Sequence, residues 1–541
     1  MIFMSETYEL IISDIALSPD AGDSAAVAEA KKRISRYVPR AKLLSAHIYR
    51  CSVDARRKNN VRLVYSVSCT LEGARPDKDA LSALHGAFPA APFLSSSLPD
   101  PKRPALPPLV VGTGPAGLFA ALLLAEKGME PIVIERGGCM SERIACRDDF
   151  YRTKILDPDC NIQFGAGGAG TFSDGKLVTR VNDPRCAAVL KMLSELGAPE
   201  DILRRARPHV GTDLLPGIIE NAARRIEELG GRIMYRTKLT GFETANGIIT
   251  EARTDKGNIP CSCCVLATGH SARDIYAMLP LYDIQREAKP FSVGVRVEHL
   301  TEDIDRAMYG ALAGHPALGH AEYSLSYRVN GRGVYTFCMC PGGEVVCGST
   351  EDGGVVTNGM STYARDGRNS NAAVAVSVNP ADVGGSPEDA VEFQRMLEMR
   401  AYTLGGGGFA APMCTVSDLM AGTRGTRPRR VLPTYMGGNC TLADMSELFP
   451  KFITDSLRGG LRAFGGILNG FDTGDAVLTG AETRTSAPMR ILRSAETLTA
   501  PGIANLYPCG EGAGYAGGIT SAAADGLKVA EMIILSAAKN A

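Results

Sequence analysis

The sequence predicts an α/β protein: a Rossmann-like dinucleotide-binding domain, interrupted by a mixed β-rich domain and preceded by a small α+β domain. Three observations carry this prediction. The stretch "PLVVGTGPAGLFAALLLAEKGMEPIVIERG" reads as strand, glycine turn, helix and second strand within about thirty residues. A second G-x-G-x-x-G, at Gly512, Gly514 and Gly517, follows the strand-like "NLYPC" and precedes a helical pattern that runs to the end of the chain. Between the first of these and the N-terminal segment lies "SSSLPDPKRPALPP", whose prolines and serines mark a linker.

The N-terminal unit, residues 1–93, reads β-α-β-β-α, close to a ferredoxin-like order. "YELIISDIAL", "AKLLSAHIYRCSVD" and "NVRLVYSVSCTL" are its strands, and "DSAAVAEAKKRISRYV" and "DKDALSALHGAF" its helices. The linker occupies 94–108. The first part of the dinucleotide-binding domain is expected over 109–287, the inserted β-rich substrate domain over 288–490, and the returning part of the first domain over 491–541. Within 109–287, "GRIMYRTKLTGFE" and "IITEARTD" read as strands of an antiparallel excursion. Helices are expected near 387–402 and 442–464.

Composition sets bounds on function. The net charge of −1 excludes a basic chain built throughout for nucleic acid. Only the segment from Lys31 to Lys58 is strongly basic, with ten Lys and Arg against Asp54. The start "MIFMSETYEL" lacks the pattern of a secretory leader, and no apolar run spans a bilayer. The cysteines are scattered, which points to a reduced cytoplasmic protein rather than a disulfide framework. No metal site is expected.

The first glycine motif carries the chemistry. Gly112 permits the turn after the strand, Gly114 lets backbone approach a pyrophosphate, and Gly117 lets the helix pack on the sheet. Pro115 and Ala116 open that helix, whose free N–H groups face phosphate. Glu135 and Arg136 end the second strand, where an acid takes the hydroxyls of an adenosine ribose and disfavours a 2′-phosphate. The C-terminal motif cannot stand alone, because neither a second strand nor a ribose-binding acid follows it. Its strand, turn and helix are therefore expected to join the first sheet and face the same cofactor with Gly510, Glu511, Gly517, Gly518 and Ile519. One site built from both ends suits a flavin, since a helix N-terminus stabilises negative charge on the reduced ring. "CVLATG" adds Ala267, Thr268 and Gly269 to this set, and Leu239 completes it. In "FGAGGAGTFSDGKL", Gly167, Gly168, Ala169 and Gly170 bring backbone near the cofactor. Thr171 adds a hydroxyl there and Lys176 a cation.

These motifs, together with "ATGHSARD", "YTFCMCPGGEVV", "TNGMS", "ETRTSAPMRI" and "YPCGEGAGYAGGITSAAADG", resemble a bacterial family of uncharacterised FAD-dependent dehydrogenases. That family lies within the glutathione-reductase-type FAD-binding superfamily. The resemblance covers almost everything from Leu109 onward and implies bound FAD without naming a substrate. Ala166 departs from it, standing where an acid is expected.

The catalytic group stays open. Arg484, Arg490 and Cys509 are candidates, the two arginines through an anionic substrate or a flavin carbonyl. Structural ion pairing would account for the arginines equally well. Cys261 and Cys264 form a C-x-x-C on a buried strand and point to opposite faces. Cys338 and Cys340 share a strand face and read as core or site lining. His270 reads as buried beside the cofactor. The leading function is an FAD-dependent oxidoreductase acting on a small molecule, with NAD(P)H docking transiently as one source of electrons. The alternative is a flavin-containing binding protein whose basic N-terminal unit holds RNA or another anion.

Overall fold

In the computed structural model, residues 6–93 and 95–539 are described. Alternating apolar residues make the N-terminal unit sheet-forming. β1 (Thr7–Leu17), β2 (Lys42–Asp54), β3 (Arg62–Glu72) and the short β4 (Gly86–Ala87) form an antiparallel sheet in the order β2-β3-β1-β4. α1 (Gly22–Tyr37) turns Ala26, Ala30 and Ile34 into the core, and α2 (Lys78–Leu84) is capped by Asp77, which accepts from the Ala80 N–H at 2.8 Å. β2 is an edge strand, and the rest of the chain covers part of that edge. Cys51 N–H donates to the Arg204 carbonyl at 2.8 Å, and Ala206 N–H donates to the Cys51 carbonyl at 2.8 Å.

The dinucleotide-binding region is a five-stranded, wholly parallel sheet. Its strands are β5 (Leu109–Val111), β6 (Ile132–Ile134), β7 (Arg232–Met234), β11 (Cys264–Leu266) and β23 (Leu506–Pro508), in the order β23-β11-β5-β6-β7. Such strands are buried on both faces, so β5, β11 and β23 are short unbroken apolar runs. α3 (Pro115–Glu126) crosses from β5 to β6, α4 (Met140–Thr153) follows β6, and α5 (Pro184–Glu195) and α6 (Leu215–Glu228) lead into β7.

The excursion is the hairpin-built sheet of β8 (Leu239–Ala245), β9 (Ile248–Thr254) and β10 (Gly257–Pro260). Here the structure divides what reads as a single strand in "GRIMYRTKLTGFE". Residues 232–234 join the parallel sheet, and the excursion begins only at Leu239. Arg236, at φ 52°, turns the chain between them.

After α7 (Arg273–Met278), β12 (Arg286–Ala288) leaves the first domain paired with β22 (Met489–Ile491), which returns to it. Between them lies a seven-stranded sheet ordered β14-β15-β18-β13-β21-β19-β20. It comprises β13 (Phe291–Leu300), β14 (Ser326–Val329), β15 (Arg332–Cys340), β18 (Asn369–Val378), β19 (Ala411–Thr415), β20 (Cys440–Leu442) and β21 (Val477–Glu482). β16 (Gly343–Cys347) and β17 (Thr357–Ser361) form a separate ribbon. α8 (Thr301–Tyr309), α9 (Pro387–Leu404), α10 (Val416–Ala421) and α11 (Lys451–Ile467) complete this region. α11 starts later than the sequence pattern suggests. Pro450 biases the residue before it away from helix, and 440–442 extend the sheet instead.

α12 (Ile519–Lys539) closes the chain against α3. A Cβ at Gly526 would stand 2.1 Å from the Ala116 carbonyl oxygen, so the two helices meet backbone to backbone. No helix among the described residues is long and apolar enough to cross a membrane.

Candidate functional site

The two glycine turns face each other across one cavity of about 310 Å³. At the first turn, Gly112 has φ 100°, and a Cβ there would lie 2.5 Å from the Ala267 carbonyl oxygen. Gly117 sits behind the turn rather than on the cavity wall. A Cβ on it would come within 1.9 Å of the Gly112 carbonyl, which is the close helix–strand packing its place in the motif requires. Gly114, Pro115 and Ala116 line the wall and start α3 there.

Glu135 reaches the cavity from the end of β6 with its carboxylate already engaged. It accepts from Thr113 N–H at 2.9 Å, Thr113 Oγ1 at 2.7 Å, Gly137 N–H at 2.9 Å and Gly165 N–H at 3.0 Å. These four donors match the capacity of a carboxylate. Arg136, also on the wall, is paired with Asp274 at 2.6 Å and stacked over Phe164 at 4.4 Å.

The glycine-rich loop is built by a residue that its own motif does not contain. Arg143 of α4 is fully buried and donates to the carbonyls of Asn161 (2.9 Å), Ile162 (2.6 Å) and Ala166 (2.6 Å) and to Thr171 Oγ1 (2.9 Å). Burial pulls its guanidinium pKa down to about 10. Ala166 thus serves the loop through its carbonyl. Gly167 and Thr171 lie inside this knot, off the wall, while Gly168, Ala169 and Gly170 line the cavity. A Cβ at Gly168 would be 2.9 Å from Gly114 Cα, so the loop and the first turn touch through bare backbone. Lys176 lines the wall and pairs with buried Asp174 at 2.7 Å. Asp174 is held in turn by Arg365 at 2.6 Å.

Ala267, Thr268 and Gly269 line the wall after β11, as does Leu239 at the start of β8. Tyr276 of α7 donates its hydroxyl to the Gly512 carbonyl at 2.8 Å and so ties this segment to the C-terminal turn. Gly510 is behind the wall. Its N–H donates to Asp525 Oδ2 at 2.8 Å, and Asp525 forms a buried pair with Arg493 at 2.6 Å. Glu511, Gly517, Gly518 and Ile519 line the cavity. Gly517 and Gly518 leave open space, with no atom within 4 Å of where a Cβ would stand, and Gly518 has φ 129°. Burial lifts the Glu511 carboxyl to about 7 against the opposing pull of Lys289.

The β-rich region supplies the facing wall with Phe337, Cys338, Asn358, Glu482, Arg484 and Thr485. Arg484 is committed elsewhere, to Glu398 at 2.8 Å and to Thr350 Oγ1 at 2.8 Å. α9 carries Glu398 from a Ser386 cap, whose hydroxyl accepts from the Asp389 N–H at 3.0 Å. Glu398 also receives Arg273 at 2.7 Å. Burial alone would raise its carboxyl, but the Arg484 and Arg273 guanidiniums outweigh that and hold it at about 2. Burial, followed by the same two arginines, lowers His270 to about 4, so this wall residue is neutral near pH 7. Arg490 lies off the wall, 3.5 Å from Glu287 and over the Tyr515 ring. Cys509 is on the wall but wholly buried, and burial drives its thiol well above the ordinary range.

All fifteen cysteines are free. Cys261 and Cys264 are both buried, and Cys261 precedes β11 with its N–H on the Thr250 carbonyl at 3.2 Å. Ligand-type atoms of Cys146, Asp157 and Cys160 lie within 4.8 Å of one another, where Arg236 already donates to Asp157 at 2.7 Å. Asp174 in the glycine-rich loop, and Asn358 and Glu482 in strands of the insertion, escaped the sequence reading, because nothing local marks which residues of a loop or strand face the cavity.

Family models match the chain in two places: an FAD binding domain over residues 106–143, and a FAD-dependent protein, C-terminal domain-like, over residues 290–485. An uncharacterised protein of Clostridium beijerinckii is 43% identical over 493 residues, covering 90% of this chain and 92% of that one. Crystal structures of L-proline dehydrogenase from P. horikoshii and glycine oxidase from Bacillus cereus are similar at 12% identity and a TM-score of 0.35 each. The first covers 81% of this chain and 94% of that chain, and the second 80% and 98%. The site and the matched models define an FAD-binding, FAD-dependent protein. More narrowly, the chain belongs to the family of FAD-dependent proteins that includes the clostridial relative.

The cavity fits this cofactor. Its two glycine turns, its loop–turn contact through bare backbone and the open space at Gly517 and Gly518 are places that a side chain would obstruct.

Proposed function

We propose that the chain oxidises or reduces a small molecule at the end of the cavity where Glu511, Lys176 and Cys338 converge, with FAD lying between the two glycine turns. The observation that carries this reading is the continuity of the cavity, which runs from Glu135 past both turns to the β-rich wall. Bound FAD supplies two-electron transfer chemistry. The chain's own groups orient, exclude water and manage protons. Gly114, Gly168 and the N-terminus of α3 offer backbone to a pyrophosphate. The N-terminus of α12 offers its positive end to negative charge on the ring. Glu511, poised near neutrality, holds or releases a proton at its carboxylate.

Among the described residues, the cations on the wall (Arg136, Lys176 and Arg484) are each paired with an acid. This favours an uncharged substrate over an anionic one. The sheet contains a single dinucleotide-type glycine turn followed by a second strand and acid, so NAD(P)H would act as a diffusible reductant. None of the ten basic residues between Lys31 and Lys58 lines the cavity, and Arg33, Lys42 and Arg56 pair with Glu29, Glu72 and Asp54. These residues therefore serve no substrate at the flavin, and the family models, an FAD binding domain and an FAD-dependent protein, lend the RNA-holding alternative no support. The reading extends to domains at 1–93, 109–287, 288–490 and 491–541, a ferredoxin-like N-terminal unit and a cytoplasmic location. The observed strand order and the free cysteines support these last two.

Gly517→Val tests the placement. Its Cβ meets only open space, so apo-protein stability should stay within about 0.5 kcal/mol of the parent. FAD binding should weaken by roughly 1–3 kcal/mol through overpacking. Fluorescence titration with FAD reads the second effect, and unchanged affinity would remove the cofactor from this turn. Anaerobic photoreduction followed by a screen of neutral and anionic acceptors tests the substrate class.

A further inference from the structure

Two thiols meet where the glycine-rich loop begins, off the cavity wall. Cys160 sits in the turn before that loop, and Asp157 builds the turn. Its Oδ1 accepts from the Asp159 N–H at 2.9 Å and from the Cys160 N–H at 3.1 Å. Cys146 lies on α4, three residues after Arg143. The Cys146 and Cys160 sulfurs and a carboxylate oxygen of Asp157 stand within 4.8 Å of one another. Neither cysteine lines the cavity.

A third segment brings a charge to the pair. Arg236, in the left-handed turn after β7, donates from Nη2 to Cys146 Sγ at 3.3 Å and from Nη1 to Asp157 Oδ2 at 2.7 Å. The guanidinium thus supplies the cation of this cluster, in the place a metal ion would take. It also makes the two thiols unequal. Cys146 is half-buried with a permanent positive charge against its sulfur, the electropositive and partly exposed setting in which cysteines react. Cys160 is wholly buried, and its sulfur accepts from the Gly138 N–H at 3.3 Å. Burial pushes its thiol up to about 12, which suits the second partner of a stepwise reaction rather than the first.

We infer that Cys146 and Cys160 are a peroxide-modified pair whose disulfide staples the start of the glycine-rich loop to α4. The Cys146 sulfur attacks one oxygen of hydrogen peroxide. An S–O bond forms, the O–O bond breaks, and the departing hydroxide takes the Cys146 proton and leaves as water. The product is a sulfenic acid on Cys146. Cys160 then attacks that sulfur. The S–S bond forms, the S–O bond breaks, and a second water leaves with the Cys160 proton. Two thiols lose two electrons and one peroxide gains them. No electron passes to or from a flavin, so the inference stands apart from the cofactor reading. The sulfurs must close to about 2 Å, and Cys160 can follow because it lies in a turn rather than in a helix or strand. The link fixes the residue next to Asn161, whose Oδ1 accepts from the Gln163 and Phe164 N–H groups at 2.9 and 3.2 Å. Arg143 holds the Asn161 carbonyl from the same helix. Oxidation therefore tightens the loop at its origin, and it raises thermal stability by restricting the unfolded chain.

The test treats fully reduced protein with graded hydrogen peroxide, then denatures it in iodoacetamide and digests it with trypsin. Cleavage after Arg143, Arg147, Lys154 and Lys176 puts the two cysteines on separate peptides. The 144–147 and 155–176 peptides should appear joined, two hydrogens below their summed mass, and reduction should part them. Cys160→Ser should leave a sulfenic acid on Cys146 that dimedone captures. Cys146→Ser should leave Cys160 alkylated. In the parent, oxidation should slow hydrogen exchange over 161–172 and raise the melting temperature, and Cys160→Ser should lose both shifts. The peptide map of the parent needs no variant to fold. Both peptides alkylated after peroxide, or Cys146 joined to Cys139 instead, would overturn the pairing. Zinc retained at one per chain and lost in Cys146→Ser would overturn it in favour of a metal site. A link that forms without either shift would overturn the staple.

Discussion

Glu135 shows how a residue can be correctly placed by sequence and still do more than its motif assigns. Its position after β6 reads from its spacing to Gly117, but its carboxylate also gathers Thr113, Gly137 and Gly165. Removing it leaves buried donors unpaired, at about 1–3 kcal/mol for each one that water cannot reach. Glu135→Ala should therefore lower the stability of the apo-protein by several kcal/mol in urea unfolding, besides weakening FAD. An apo-protein as stable as the parent would show that the carboxylate serves the cofactor alone. Glu511 permits a test by pH. Its folded value, about 7, lies above the ordinary carboxyl value of 4.5. The native state then binds more protons than the unfolded chain between those values, and stability must fall as pH rises through that window. Thermal unfolding of the holoprotein from pH 5 to pH 8 should show this decline, and Glu511→Gln should flatten it. An equal slope in both proteins would mean that Glu511 is ionised throughout.

At the scale of elements, the decisive contact is between α3 and α12, the helices that follow the two glycine turns. Gly526 lets them touch, and it is invisible to the motif because it lies beyond the turn. Gly526→Val would force backbone apart at the Ala116 carbonyl, with a cost of roughly 1–3 kcal/mol or more. It should lower both the melting temperature and the FAD retained on gel filtration, whereas Gly517→Val lowers only the second. Parent-like melting of Gly526→Val would sink this account of the contact. The parallel strands and both turns were legible because short apolar runs next to glycine have few other uses. The split of β7 from β8 was not, since Arg236 in a left-handed turn carries no composition signal. Arg143 was equally hidden: an arginine on a mixed helix reads as solvated, and only the loop that folds over it makes it a core residue. The facing wall was legible at Cys338 and Arg484 but not at Phe337, Asn358 or Glu482. Which residues of a ten-residue strand face a cavity is set by how the sheet docks, and that is tertiary information.

At the scale of the whole molecule, the chain departs at β12 and returns at β22, so the cofactor region is assembled from segments separated by about two hundred residues of β-rich structure. Closing such a long excursion costs conformational entropy. The Arg493–Asp525 pair, the α3–α12 contact and the Tyr276–Gly512 bond set fixed contacts against that cost. FAD adds a further link, because a ligand that binds only the folded arrangement stabilises it by mass action. Its effect should be shared by every segment it touches and withheld from those it does not. Hydrogen exchange with and without FAD should therefore show peptides covering 112–120, 165–176, 264–272 and 510–522 gaining protection together. Peptides from β1 and β3 should remain unchanged, since that sheet contributes nothing to the cavity wall. Protection confined to 112–120 would show that the C-terminal turn lies apart from the cofactor. Protection spreading equally through β1 and β3 would show that the N-terminal unit opens and closes with the cofactor domain as one cooperative body.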